Sequence, residues 1–174
     1  MRPVIAALEE RGWPWYLTGS EALAAYGAPR QTMDTDLVVE APLGDLDALA
    51  ASLLDSFLYA EPIHVGRRWM ASLIDRASVG KVDLIVRDPD AWGTEAMRRR
   101  RPWDHPAWGA IWVSTLEDLI LAKLEWSEGV SELQLRDCAS LLRMNRATVE
   151  DAYLDRWSQS LGIVQLLEAA RRAP

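Results

Sequence analysis

Residues 15–40 read WYLTGSEALAAYGAPRQTMDTDLVVE, and the fold follows from how this stretch divides. Trp15, Tyr16, Leu17 and Thr18 form a short bulky run bounded by Pro14 and Gly19, the length and composition of a buried strand. Ser20 stands where an N-cap would, and residues 21–26 read as a helix closed by Gly27. Residues 34–40 return as a second strand. Side chains two apart on a strand share a face, so Asp34 and Asp36 present two carboxylates together while Leu37 and Val39 turn to the core. Such a pair repels itself unless a cation lies between. Hard oxygen donors of this kind suit Mg²⁺, which takes one or two carboxylates together with substrate phosphates and water. The Gly19-Ser20 turn offers a phosphate close backbone approach and a helix N-terminus. A nucleoside triphosphate with Mg²⁺ fits both features.

In-line phosphoryl transfer asks for a third acid, because the metal that activates the attacking hydroxyl also needs a carboxylate ligand. In Lys81-Val82-Asp83-Leu84-Ile85-Val86 the alternation sets Val82, Leu84 and Val86 on one face and isolates Asp83 on the other. That is a costly choice in a strand otherwise suited to burial. Asp75, at the end of the preceding strand, is the rival, but beside Arg76 and a turn a solvated acid needs no further reason. Asp83 is the candidate.

Outward from this centre, residues 4–11 read as a helix stopped by Gly12 and Pro14, and residues 46–57 as a second helix. Residues 67–74 and 81–86 are strands meeting at a turn near Ser78-Val79-Gly80. A helix over 94–101, a Pro- and Trp-rich loop and a short strand over 110–113 follow. Thr115 is placed to cap a helix over 116–128, with Glu117 or Asp118 in its acid-favouring first turn, and residues 131–144, 148–160 and 163–172 continue as helices. The pattern is α/β (α+β): a minimal mixed sheet flanked by helices over residues 1–114, with a helical part over 115–174 packed on it.

The 174 residues and 19.5 kDa fit one domain, and 49% apolar with 26% charged residues is an ordinary globular mixture. A net charge of -7 excludes a generic nucleic-acid coat, so any polyanion must meet a local basic patch. Residues 61–110 are the basic third, with nine Lys and Arg against seven Asp and Glu. Arg98, Arg99, Arg100 and Arg101 are the candidate nucleic-acid contact, with Arg67 and Arg68 near in sequence, and a solvated helix face is the competing reading. The single cysteine, Cys138, rules out an internal disulfide and fits a reducing compartment. His64 and His105 lack metal-type spacing to each other or to Cys138. With neither an export signal nor a stretch long enough for a membrane span, a cytoplasmic protein without membrane contact is expected.

The constellation resembles the DNA polymerase beta nucleotidyltransferase superfamily, whose pattern is Gly-Ser or Gly-Gly, a spacer, Asp-x-Asp, then a third carboxylate on a neighbouring strand. Tyr16-Leu17-Thr18-Gly19-Ser20-Glu21-Ala22-Leu23, the run from Gly27 to Asp36, and the segment from Leu116 to Leu124 are similar to small bacterial members related to abortive-infection toxin nucleotidyltransferases. The resemblance covers about residues 15–145. It implies Mg²⁺-dependent transfer of a nucleotidyl group from an NTP to a hydroxyl on tRNA, a protein or a small molecule, and a toxin role with an antitoxin partner. Gly19 and Ser20 match the phosphate turn, Asp34 and Asp36 the metal pair, and Asp83 the third acid. Lys123 and Asp137 match a helical Lys and Arg-Asp motif near the nucleotide. Arg30 and Thr32 precede the acid pair at matching spacings. Arg30 either touches a phosphate or locks the loop by pairing with Asp34 or Asp36, and Lys123 either neutralises the triphosphate or is a solvated helix residue. The competing reading is a catalytically silent nucleotide-binding or protein-interaction module on the same fold.

Overall fold

The apolar runs pair around the acidic stretch. β1 (Trp15–Thr18) and β2 (Asp34–Val39) are antiparallel, with Thr18 opposite Asp36. β5 (Lys81–Arg87) lies parallel to β2, with Asp83 opposite Asp36 and Lys81 opposite Asp34. β3 (Phe57–Val65) and β4 (Arg68–Asp75) extend the sheet past β5, while β7 (Gly109–Val113) and β6 (Arg101–His105) extend it past β1. The computed structural model describes residues 1–78, 80–127 and 129–173, and its seven-stranded mixed sheet runs β3-β4-β5-β2-β1-β7-β6. The expected α/β class holds.

One face of the central strands is uniformly apolar and buried: Leu17, Leu37, Val39, Ala71, Leu73, Val82 and Leu84. They share a core with Val4 and Leu8 of α1 (Arg2–Glu10), Leu46 and Leu49 of α2 (Leu46–Ala51), and Trp92 of α3 (Ala91–Arg99). Burying each large aliphatic side chain stabilises by about 1.5–3 kcal/mol. The opposite face carries the acids. α4 (Leu116–Ser127) and α5 (Glu132–Met144) supply the other walls of the cleft, and α6 (Asp151–Leu161) and α7 (Val164–Arg172) complete the helical part. Among the described residues no helix is long and apolar enough to cross a membrane.

Several elements depart from the sequence reading. The helix expected to reach Phe57 ends at Ala51, and Phe57 opens β3, an edge strand that tolerates Pro62 because its register shifts between Ala60 and Ile63. α3 starts at Ala91, not Thr94, because Asp90 caps it by accepting from the Gly93 amide at 2.5 Å. It stops at Arg99, short of the expected end at Arg101, which instead begins β6, and β6 runs on into the stretch expected as a loop. Residues 21–26 form a 3-10 helix, and Ser20 does not cap it with its side chain. Helix six begins at Asp151, past Thr148, whose hydroxyl donates to the Asn145 carbonyl. Val79 of the expected turn and Glu128 of the expected helix end lie outside the described residues.

Candidate active site

Strand register builds the site. Ser72 of β4, Asp83 of β5, Asp36 of β2 and Thr18 of β1 form one continuous rung across four strands. The next rung holds Lys81 beside Asp34. Thr18, Asp36 and Asp83 of the first rung and both residues of the second line a cleft of about 310 Å³ together with Gly19, Ser20, Arg30, Thr32, Lys123 and Gln134. Asp34, Asp36 and Asp83 therefore share one concavity. Asp75 does not line it; its carboxylate binds the Ala77 and Ser78 amides at 2.7 and 3.2 Å, and the turn amides hold it below the ordinary carboxylate range.

The three acids sit in different environments. Asp83 is almost fully buried, accepting from the Ser72 hydroxyl at 2.5 Å and pairing with Lys81 Nζ at 2.8 Å. Lys81 Nζ is also 3.9 Å from Asp34 Oδ2, so one ammonium spans two carboxylates, and those carboxylates hold its pKa up. Asp36 is pushed up to about 6, first by burial and next by Asp83, with Asp34 adding to the effect and Lys123 and Lys81 opposing it. A half-buried carboxylate flanked by two others calls for a cation. The donor set is hard oxygen, and Lys81 already stands at one edge of it as a positive charge, so the residues fit Mg²⁺ at Asp34 and Asp36. Among the described residues no three acids, histidines or cysteines are gathered into a ready-made metal cage. Asp83 in particular is occupied by Lys81 and Ser72.

Gly19 has a φ of +68°, which favours glycine, and a Cβ there would overlap Asp36 Oδ2 and lie 2.7 Å from its Cγ. The glycine thus lets the turn close directly onto the acid. With only a six-residue 3-10 helix behind it, the turn offers backbone approach rather than a substantial helix dipole. Ser20 Oγ accepts a hydrogen bond from the Arg30 guanidinium, and Arg30 Nε lies 3.9 Å from Asp137. Lys123, itself buried, donates to Asp137 at 2.8 Å and to Gln134 at 3.0 Å. Arg30 therefore locks its loop through Ser20 and Asp137, not through Asp34 or Asp36, and Lys123 is not a solvated helix residue. The neighbouring Arg136–Glu132 pair is exposed and separate.

The far wall was not legible in the sequence. Arg68 and Arg87 both reach Glu125, at 2.9 and 2.8 Å, and all three side chains are largely buried. This pins α4 over β4 and β5. The next residue, Trp126, packs against the Arg68 guanidinium at 4.7 Å and is 40% exposed at the cleft. Met70, Ile85 and Ala122 complete an apolar lobe. Periodicity could have put Lys81 on the face of Asp83, whereas nothing in the sequence signals Glu125 or Trp126.

The arginine run is dispersed and none of it lines the cleft. Arg98 pairs with Glu95 at 2.6 Å, and Arg99 with Glu150 at 2.7 Å while lying over Tyr153. Arg100 donates to the Met97 carbonyl and covers Trp112; Arg101 covers Tyr26. The four do not form a single helical stripe, because the helix ends among them.

No protein-family model and no curated protein matches the sequence. Solved structures do. The solution structure of the antibiotic-resistance factor ANT(2'')-Ia aligns with a TM-score of 0.52 at 18% identity, covering 98% of this chain and 86% of its own. The crystal structure of ANT(2'')-Ia in complex with adenylyl-2''-tobramycin gives 0.51 at 16%, over 98% and 92%. The lincomycin-bound lincosamide antibiotic adenylyltransferase LnuA aligns at 0.49 and 14%, over 81% and 93%. The chain shares the fold of ANT(2'')-Ia.

Proposed function

We propose that this protein is a Mg²⁺-dependent nucleotidyltransferase that moves a nucleoside monophosphate from an NTP to a hydroxyl of a small molecule. The observation that carries the reading is the close approach of the Gly19 turn to Asp36 within a rung that also holds Asp83. Asp34 and Asp36 would hold Mg²⁺, which when bound draws charge from the phosphates. Gly19 and Ser20 receive the triphosphate, with Arg30 and Lys123 as neighbouring positive charges. Asp83, fixed by Ser72 and Lys81, orients the acceptor hydroxyl. The acceptor oxygen bonds to the α-phosphorus, the bond from that phosphorus to the β-phosphate oxygen breaks, pyrophosphate leaves, and the hydroxyl proton passes to Asp83.

A small-molecule acceptor is supported by the fold likeness to ANT(2'')-Ia and by the internal engagement of Arg98 to Arg101, which leaves tRNA no ready basic stripe. A protein acceptor, a toxin role and an antitoxin partner rest on the motif resemblance alone. The test is pyrophosphate release from each of the four NTPs with Mg²⁺ and an acceptor panel that includes bulk tRNA. Release abolished by Asp36→Ala in a folded chain is the expected result. NTP binding without pyrophosphate from any acceptor would leave a silent nucleotide-binding module.

A further inference from the structure

The rung order gives the reaction a direction. Gly19 and Ser20 follow β1, at one end of the sequence Thr18, Asp36, Asp83, Ser72 across the sheet. If the pyrophosphate leaves over β1, an in-line attack must come from the opposite side, over β5 and β4. That side holds the apolar lobe. Met70 and Ile85 pair directly, one same-face step along the strands from Ser72 and Asp83. Ala122 and Trp126 descend from α4 four residues apart, hence on one helix face.

We infer that this lobe is the acceptor subsite and takes an uncharged alcohol whose apolar ring stacks on Trp126. The inference rests on the nucleotidyltransferase reading. Three observations select the acceptor's chemistry. Trp126 is 40% exposed where α4 otherwise buries its large side chains, and Arg68 holds its ring in place. Glu125, next to Trp126 on α4, is bound by both Arg68 and Arg87, so it has nothing to offer an ammonium group. Arg87 is held by Asp90 as well, at 2.9 Å, so this cluster presents no unpaired carboxylate to a cation. A polyamine such as tobramycin would therefore meet an apolar wall whose charges are already paired, although the fold is shared with a protein whose structure holds adenylyl-2''-tobramycin.

The test separates the two ends of the cleft. Mn²⁺·ATP binding, read by electron paramagnetic resonance, reports the nucleotide end; its absence in wild type would sink the nucleotidyltransferase reading itself. The lobe is probed with 2-naphthaleneethanol, an uncharged alcohol with a planar ring, by fluorescence titration. One site per chain is expected, weakened about tenfold by Trp126→Ala and kept within about threefold by Trp126→Phe, as lost aromatic stacking implies. Tobramycin should neither displace the probe nor become adenylylated. Four results would overturn the inference while Mn²⁺·ATP still binds: no probe binding to wild type, unchanged affinity in a folded Trp126→Ala variant, tobramycin modification, or displacement of the probe by ATP but not by ribose 5-triphosphate. The last would assign the lobe to the nucleobase.

Discussion

Replacing Asp36 with Asn should make the metal-free protein more stable at neutral pH. The variant keeps the shape that fits against Gly19 but removes a charge flanked by Asp83 and Asp34. Raising a carboxyl from its ordinary range to about 6 corresponds to about 3 kcal/mol of disfavour for the ionised form in the folded state. The sign follows from proton uptake. Between the unfolded value near 4 and about 6 the folded chain binds more protons than the unfolded one, so wild-type stability falls as pH rises through that window. Below pH ~4 Asp36 is protonated in both states and the penalty vanishes. Urea unfolding with EDTA at half-unit steps from pH 4 to 8 should show Asp36→Asn ahead by about 3 kcal/mol above pH 7 and level with wild type near pH 4. Mn²⁺ with ATP should raise the wild-type midpoint and leave the variant's unmoved. A difference that does not change with pH, or a variant weaker than wild type at pH 7.5, would refute the argument that this carboxylate is held in an unfavourable charged state.

Gly19→Ala meets both a left-handed backbone and the Asp36 carboxyl, so a loss of about 1–3 kcal/mol in urea unfolding and of Mn²⁺·ATP binding is expected. Glu125→Ala removes the largely buried carboxylate shared by Arg68 and Arg87, while Arg87 keeps Asp90, and should cost about 1–3 kcal/mol by the same assay, with α4 loosened over the cleft. Arg99→Ala should lower the unfolding free energy by about 1–3 kcal/mol through its contacts with Glu150, Glu117 and Tyr153, whereas Arg98→Ala, at an exposed pair with Glu95, should leave the midpoint where it is.

The strands that decide the fold were readable because their chemistry is local. β1, β2 and β5 each combine an apolar face with one or two misplaced polar residues, and period two is enough to separate them. β3 and β6 were not readable for the opposite reason. β3 is an edge strand carrying Glu61, Pro62 and His64, and β6 carries Pro102 and two charged residues, so neither has an apolar pattern; both are strands because a neighbour supplies the hydrogen bonds. The Asp34–Asp36 pair and Asp83 were visible as expensive choices in apolar runs. Lys123 was visible only through a motif, and its partners Gln134 and Asp137 could be assigned only once α4 and α5 were packed. The Arg68–Glu125–Arg87 cluster joins residues 38 and 57 positions apart, and nothing short of the tertiary structure brings them together.

Burial alone does not separate a structural acid from a working one, and the contrast between Asp118 and Asp36 shows what does. Both are carboxylates held above their ordinary range, first of all by burial. Asp118 accepts hydrogen bonds from Trp92 at 2.9 Å, Tyr153 at 2.7 Å and Thr115 at 2.6 Å, with Arg99 at 4.0 Å. Its charge is used up in tying α3, α4 and α6 together, and it does not line the cleft of Asp36. Among the described residues no donor hydrogen-bonds to the Asp36 carboxylate, and the carboxylates of Asp83 and Asp34 raise its energy further. A fold gains nothing from keeping an unpartnered carboxylate beside two others, because an uncharged residue of the same shape would satisfy the packing. We propose that the missing stabilisation comes from outside the chain: a divalent cation carrying a triphosphate would supply both the charge and the fit to the glycine turn.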